Sequence, residues 1–110
     1  MTTGGSTPNK RLAYLEKVTA EGSDDPLAWY GLAMEYRKLE RWDAALEAFK
    51  TLRARRPTYV AMYLMCGQLL DEAGREDEAR EWLEAGLATA KAQGDGHSAS
   101  EIEAALGALG

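Results

Sequence analysis

Two side chains in this sequence could serve as a nucleophile, a general base or a soft metal ligand, Cys66 and His97, and each type occurs once. Neither has the company such chemistry needs. Cys66 has no second cysteine with which to form a disulfide, a redox pair or a zinc site of the usual kind. It falls where an apolar helix residue is expected, so it reads as a buried small hydrophobe with an ordinary thiol. His97 stands between a glycine-rich break and a helix start. Its nearest carboxylates, Asp95 and Glu101, read as capping residues, and catalytic or ligating work would need partners at matched spacing. No glycine-rich phosphate loop follows a strand, and no Ser-His-Asp or Cys-His set can be assembled. The sequence therefore argues against an enzyme and implies no cofactor and no metal. Arg53, Arg55 and Arg56 form the one basic cluster. Cations are favoured at a helix C-terminus by its dipole, which explains the cluster structurally; the alternative is a docking patch for an acidic partner.

The elements that would carry these residues follow from the bulk properties. A chain of 110 residues suits one modest domain, and 45% apolar with 28% charged residues suits a folded core. Alanine, leucine and glutamate abound, which favours helices over strands. The net charge is −5, and it is unevenly spread: residues 1–57 hold ten Lys or Arg against eight Asp or Glu, residues 58–110 three against ten. This acidity argues against nucleic acid as a partner, because phosphate neutralisation needs a basic surface. The sign difference is either solvation of helix faces or a device for steering a charged partner or head-to-tail self-contact. The N-terminus lacks a basic start and an apolar stretch, and no apolar run is long enough to span a bilayer. With its single cysteine, the chain reads as a soluble cytoplasmic protein from a reducing compartment, without membrane contact. The initial methionine and the last helix favour a complete chain.

Helix signals recur along the chain. Residues 1–7 are expected to be disordered; Thr7-Pro8 then offers a cap and a first-turn proline for a helix over 8–21, with Leu12, Leu15 and Val18 at helical spacing. Asp25-Pro26 repeats the device for a helix to Leu39, and a third helix is expected over Trp42 to Arg55. Thr58 is the expected cap of a fourth helix over Tyr59 to Ala73, closed by Gly74. A fifth spans Glu76 to Ala92, its start marked by Glu76, Asp77 and Glu78. Ser98 is the expected cap of a sixth over 98–109, with Ala99, Ile102, Leu106 and Leu109 on one stripe.

A motif binds these helices into pairs. Trp29, Leu32, Ala33, Tyr36, Ala45, Phe49 and Pro57 align, thirty-four residues on, with Tyr63, Cys66, Gly67, Leu70, Ala79, Leu83 and Lys91. Large side chains fill the space between helices, and small ones mark where two helices pass closely. This pattern resembles the tetratricopeptide repeat, with Ala33 in place of the usual glycine and Lys91 in place of the closing proline. The Lys91 departure implies that the fifth helix runs on towards Gln93. The resemblance implies an all-α fold, a right-handed superhelical stack of antiparallel helix pairs with about six helices. Repeats would occupy 26–59 and 60–93, flanked by an N-terminal packing helix at 8–21 and a capping helix at 98–109, all within one domain over 8–110. Trp29 and Phe49 are then structural. Trp42 should pack at a helix start and Trp82 against the stack.

The resemblance also implies a function, binding a peptide or helix of another protein in the concave groove lined by the first helices of the repeats. The groove residues would be Leu27, Tyr30, Met34, Arg37 and Lys38, followed by Ala61, Leu64, Met65, Gln68, Asp71 and Glu72. Tyrosine and methionine make an apolar, adaptable floor, with cations at one end and carboxylates at the other. A lysine–asparagine clamp for a C-terminal carboxylate, found in some members of the family, is replaced here by Tyr30 and Met34. The alternative is a structural protein that self-associates, as a homodimer, and a further alternative has a flanking helix covering the groove.

Overall fold

Asp25 accepts a hydrogen bond from the amide of Leu27 at 2.9 Å, and Pro26 sits in the first turn behind it, so the start of a helix is fixed by two residues whose preferences agree. Punctuation of this kind divides residues 9–109, which the computed structural model describes, into six helices with no strand among the described residues. These are α1 (Lys10–Ala20), α2 (Pro26–Lys38), α3 (Trp42–Arg55), α4 (Val60–Glu72), α5 (Glu76–Ala92) and α6 (Gly96–Ala108). The segment 1–7 and the cap expected at Thr7 and Pro8 lie outside the described residues. The cap observed on α1 is Asn9, whose side chain accepts from the Leu12 amide at 2.9 Å.

Two expected caps are corrected. Thr58 does not cap α4: Tyr59 holds the N-cap position and makes no side-chain cap bond. The helix starts one residue later than the threonine signal implied, leaving Thr58 outside it, where its carbonyl accepts from Gln93 Nε2 at 2.7 Å. Ser98 does not cap α6 either. Gly94 takes a left-handed φ of +70°, the chain turns early, and Asp95 accepts from the Ser98 amide at 3.0 Å. Ser98 is thus the donor, and α6 begins two positions before it.

Each helix packs antiparallel on the next, α2 on α3 and α4 on α5, while α1 covers α2 and α6 lies on both α5 and α4. The stack measures 50 × 31 × 21 Å. Its main core joins both repeats through Phe49, Leu52, Met62, Leu69 and Leu70, all fully buried. A second cluster, including Val60, Leu83, Ala90 and Ile102, fastens α6. Of the stripe expected on α6, Ala99 and Ile102 are buried, while Leu106 and Leu109 are half-buried. The small positions of the motif are tight. A Cβ on Gly67 would collide with Leu83, and one on Gly86 with the Cβ of Tyr63, so these glycines permit the close crossing of α4 and α5.

Polar side chains join neighbouring units. Arg53 makes a two-pronged pair with Glu81 at 2.9 and 3.0 Å and lies over the rings of Tyr63 and Trp82. Arg55 donates to the carbonyl of Ser23 at 2.8 Å and lies over Trp29. Arg56 reaches Asp24 at 3.3 Å. The basic cluster is therefore engaged within the fold, carrying the second helix of the first repeat towards both neighbours. Trp82 is buried against Tyr63 and Arg53, and Trp42 packs half-buried on the core.

Candidate functional site

The side chains proposed for the groove project from α2 and α4, and the geometry sorts them into three groups. At the centre, Tyr30 stands edge-on to Phe49, with ring centroids 6.3 Å apart, and to Tyr59 at 5.7 Å. Met34 and Met65 lie half-buried on the same core. Burial lifts the Tyr30 phenol above its ordinary range, and Tyr59 adds to the effect while Arg37 opposes it. Tyr30 therefore stays neutral at physiological pH, and its hydroxyl can serve as a donor.

Beside this centre, Arg37 crosses from α2 to α4. Its Nε and Nη2 donate to Glu72 at 2.9 and 3.0 Å, and Nη1 approaches the sulfur of Met65 at 3.8 Å. The cation and carboxylate expected to face each other across a ligand thus meet directly. Met34, Arg37, Lys38 and Glu72 line an open cleft of about 440 Å³, bounded also by Glu40 and Trp42. Lys38 is anchored at 3.1 Å to Glu35, a buried carboxylate that also accepts from Asn9 and Arg11. Burial works against ionisation of Glu35, but the bonds from Lys38, Asn9 and Arg11 prevail and hold its carboxyl below the usual range.

The remaining candidates lie apart from this cleft. Gln68 and Asp71 line a smaller cleft of about 160 Å³ against Ala105 and Ala108 of the last helix and Leu109 just after it. Leu64 packs against the cluster that holds α6. Ala61 is exposed, and Leu27, also exposed, borders a cleft between α1 and α2. Tyr59 was not among the expected residues. Its one sequence signal is an aromatic placed just before the first helix of a repeat, next to a threonine that also offers a cap.

The residues with catalytic potential are dispersed. Cys66 is fully buried, and burial pushes its thiol well above the ordinary value, which suppresses the reactive thiolate. His97 is largely exposed and lies 3.4 Å from Glu101 alone. Among the described residues, no group of three or more His, Cys, Asp or Glu is gathered as a metal site would require. No helix among them is long and apolar enough to cross a membrane.

The tetratricopeptide repeat family matches residues 30–95. The chain belongs to the tetratricopeptide repeat family. It is 33% identical over 88 residues to the TPR repeat-containing protein PA0015 of Pseudomonas aeruginosa, an alignment covering 80% of this chain and 84% of that one. Among solved structures, it is similar to the protein BPP2914 of Bordetella parapertussis, with a TM-score of 0.76 and 32% identity, covering 89% of this chain and 85% of the other. It is also similar to a tetratricopeptide repeat domain protein of Salinibacter ruber, with a TM-score of 0.67 and 32% identity over 74% of this chain and 91% of that chain. The stacked helix pairs and the order of large and small positions are thus those of a tetratricopeptide repeat protein, and such repeats are generally protein-interaction modules.

Proposed function

We propose that this tetratricopeptide repeat protein is a non-enzymatic adaptor, holding a peptide or helix of a partner protein across the face formed by α2 and α4. The observation that carries this reading is the half-buried set of Tyr30, Met34 and Met65 beside the Arg37–Glu72 pair, at the edge of the 440 Å³ cleft. Large adaptable side chains supply contact area, and the paired charges fix its rim without leaving an isolated charge to desolvate. A ligand with an apolar anchor suits this surface better than a purely charged one. Lys38 lines the same cleft, and Leu27, Ala61, Leu64, Gln68 and Asp71 are assigned to the outer parts of the face, away from it.

The test compares capture of partners from source lysate by the wild type and by a Tyr30→Ala, Met34→Glu variant, with retained proteins identified by mass spectrometry. Circular dichroism would establish that the variant keeps its helices. A protein held by the wild type and lost by the variant is expected. Equal retention by both would refute this placement of the binding face.

A further inference from the structure

The cleft between α1 and α2 repeats, in register, a surface that is covered elsewhere in the same molecule. Arg11, Tyr14, Leu15, Val18 and Ala28 sit one repeat before Ala45, Ala48, Phe49, Leu52 and Met62. Those five counterparts, four on α3 and Met62 on α4, are all buried in the main core, where α2 packs on α3. Without a covering helix among the described residues, the α1–α2 surface forms an open cleft of about 310 Å³. Tyr14 and Leu27 at its border are 65% and 63% exposed, the most exposed large apolar side chains described. The cleft therefore has the form of a seat for the first helix of a repeat.

The opposite end of the stack presents such a helix. On α6, Ala99, Ile102, Ala105 and Leu106 repeat the spacing of the buried Tyr63, Cys66, Leu69 and Leu70 on α4, so α6 holds the first-helix register. In that register, Glu103 takes the place of Gly67, which meets Leu83 of the following helix. No second helix follows α6 among the described residues, and Ser100, Glu103, Ala104 and Gly107 on it are exposed.

We propose that copies of this chain join end to end, with α6 of one lying in the α1–α2 cleft of the next. Together, α6 and α1 then form the two helices of a further repeat. Side-chain size along the free side of α6 agrees, and so does charge, while Glu103, standing where α4 has Gly67, requires α6 to stand farther from α1 than α4 stands from α5. Tyr14 and Leu27 project from the cleft, whereas the free side of α6 is built from Ser100, Ala104 and Gly107, and large side chains meeting small ones is how facing helices interlock. Within its span α1 carries Lys10, Arg11 and Lys17 against Glu16 alone, while α6 carries Glu101 and Glu103 with no lysine or arginine. The repeat register brings Glu103 over Leu15 of the neighbour, one helical turn from Arg11. This assembly uses the ends of the stack and covers only Leu27 of the proposed binding face, leaving Tyr30, Met34, Met65 and the Arg37–Glu72 pair free, so it stands independently of the adaptor reading.

Sedimentation equilibrium of the full chain, from micromolar to millimolar concentration and at low and high salt, tests it. A contact between two different surfaces does not close on itself as a dimer does. The average mass should therefore climb past that of two chains at low salt and fall as salt is added. Tyr14→Glu and Glu103→Arg, both at exposed positions, should each weaken association about tenfold or more while helicity and melting stay unchanged. Mixed together, these variants retain one intact α6 and one intact cleft, and a complex of one chain of each is expected. A monomer throughout the range would overturn the proposal. So would a plateau at two chains that Tyr14→Glu abolishes and Glu103→Arg does not, because the α1 surface would then be pairing with itself. Failure of the mixture to form the heterodimer would overturn it equally.

Discussion

Glu40 takes a φ of +57° just after α2, where the second repeat has Gly74 at +77°. In this left-handed conformation a side chain crowds the following carbonyl, at a cost of about 1–2 kcal/mol that glycine avoids. The backbone accepts the cost because the turn is held on both sides: the amide of Glu40 donates to Arg37 and that of Arg41 to Tyr36. Glu40→Gly is therefore expected to stabilise the protein by about 1 kcal/mol, since the greater freedom of glycine in the unfolded chain offsets part of the gain. Urea unfolding monitored by circular dichroism would measure it, and a loss of stability would show that the Glu40 side chain contributes contacts outweighing its strain. The left-handed turn at Glu40 is not legible from its own residue type. Its alignment with Gly74 states that the turn calls for a left-handed residue, but a glutamate there gives no local sign of it.

At the scale of elements, α6 supplies a direct test of how a helix is started here. Asp95 is the residue whose carboxylate accepts from the helix, and its hydrogen bonds with Ser98 hold its acid form at bay. Asp95→Ala should cost about 1 kcal/mol, whereas Thr58→Ala, at a position outside α4, should leave the urea midpoint almost unmoved. Equal losses from the two substitutions would contradict the assigned caps. The same contrast explains what could be read ahead of the structure. Helices α3 and α5 lie at their expected bounds, because apolar periodicity, acidic first turns and the order of large and small residues all agree there. The observed caps Tyr59 and Asp95 lie one and three positions from the Thr58 and Ser98 that the sequence favours. That Tyr30, Met34 and Met65 lie together on one side of α2 and α4 was legible from the repeat, whose register dictates which side of each first helix faces the core. The Arg37–Glu72 pair was not, because it depends on the lateral offset of α2 against α4, which sequence spacing does not encode. The links from Arg53 to Glu81 and from Arg75 to Asp43 were hidden for the same reason.

For the molecule as a whole, stability should grade from the ends of the stack inward, since most contacts run between neighbouring helices and an end helix has fewer partners than an inner one. The fourth helix is buried along Met62, Tyr63, Cys66, Leu69 and Leu70. The first helix buries only Leu12, Leu15 and Thr19, and it relies on Glu35, through Arg11 and Asn9, to hold its leading turn against the end of α2. Native-state hydrogen exchange at low urea should accordingly show α1 opening well below the free energy of global unfolding, with α4 following the global transition. Acid should widen that gap. Because the folded-state value of Glu35 lies below the ordinary 4.5, its contribution is fully present above about pH 4.5 and is lost as pH falls through the folded-state value. The gap should therefore grow in wild-type protein on going from neutral pH to below pH 4, and much less in Glu35→Gln, where the charge is already absent. A uniform opening free energy over all six helices, or the same acid response in both proteins, would show that α1 does not depend on the Glu35 carboxylate and is held by its other contacts, the Tyr36–Glu16 hydrogen bond among them. Selective opening would instead make the Glu35 cluster the clasp of the first helix. It would also tie that clasp to the surface on which a second copy is proposed to dock, since α1 must stay closed on α2 for the cleft between them to exist.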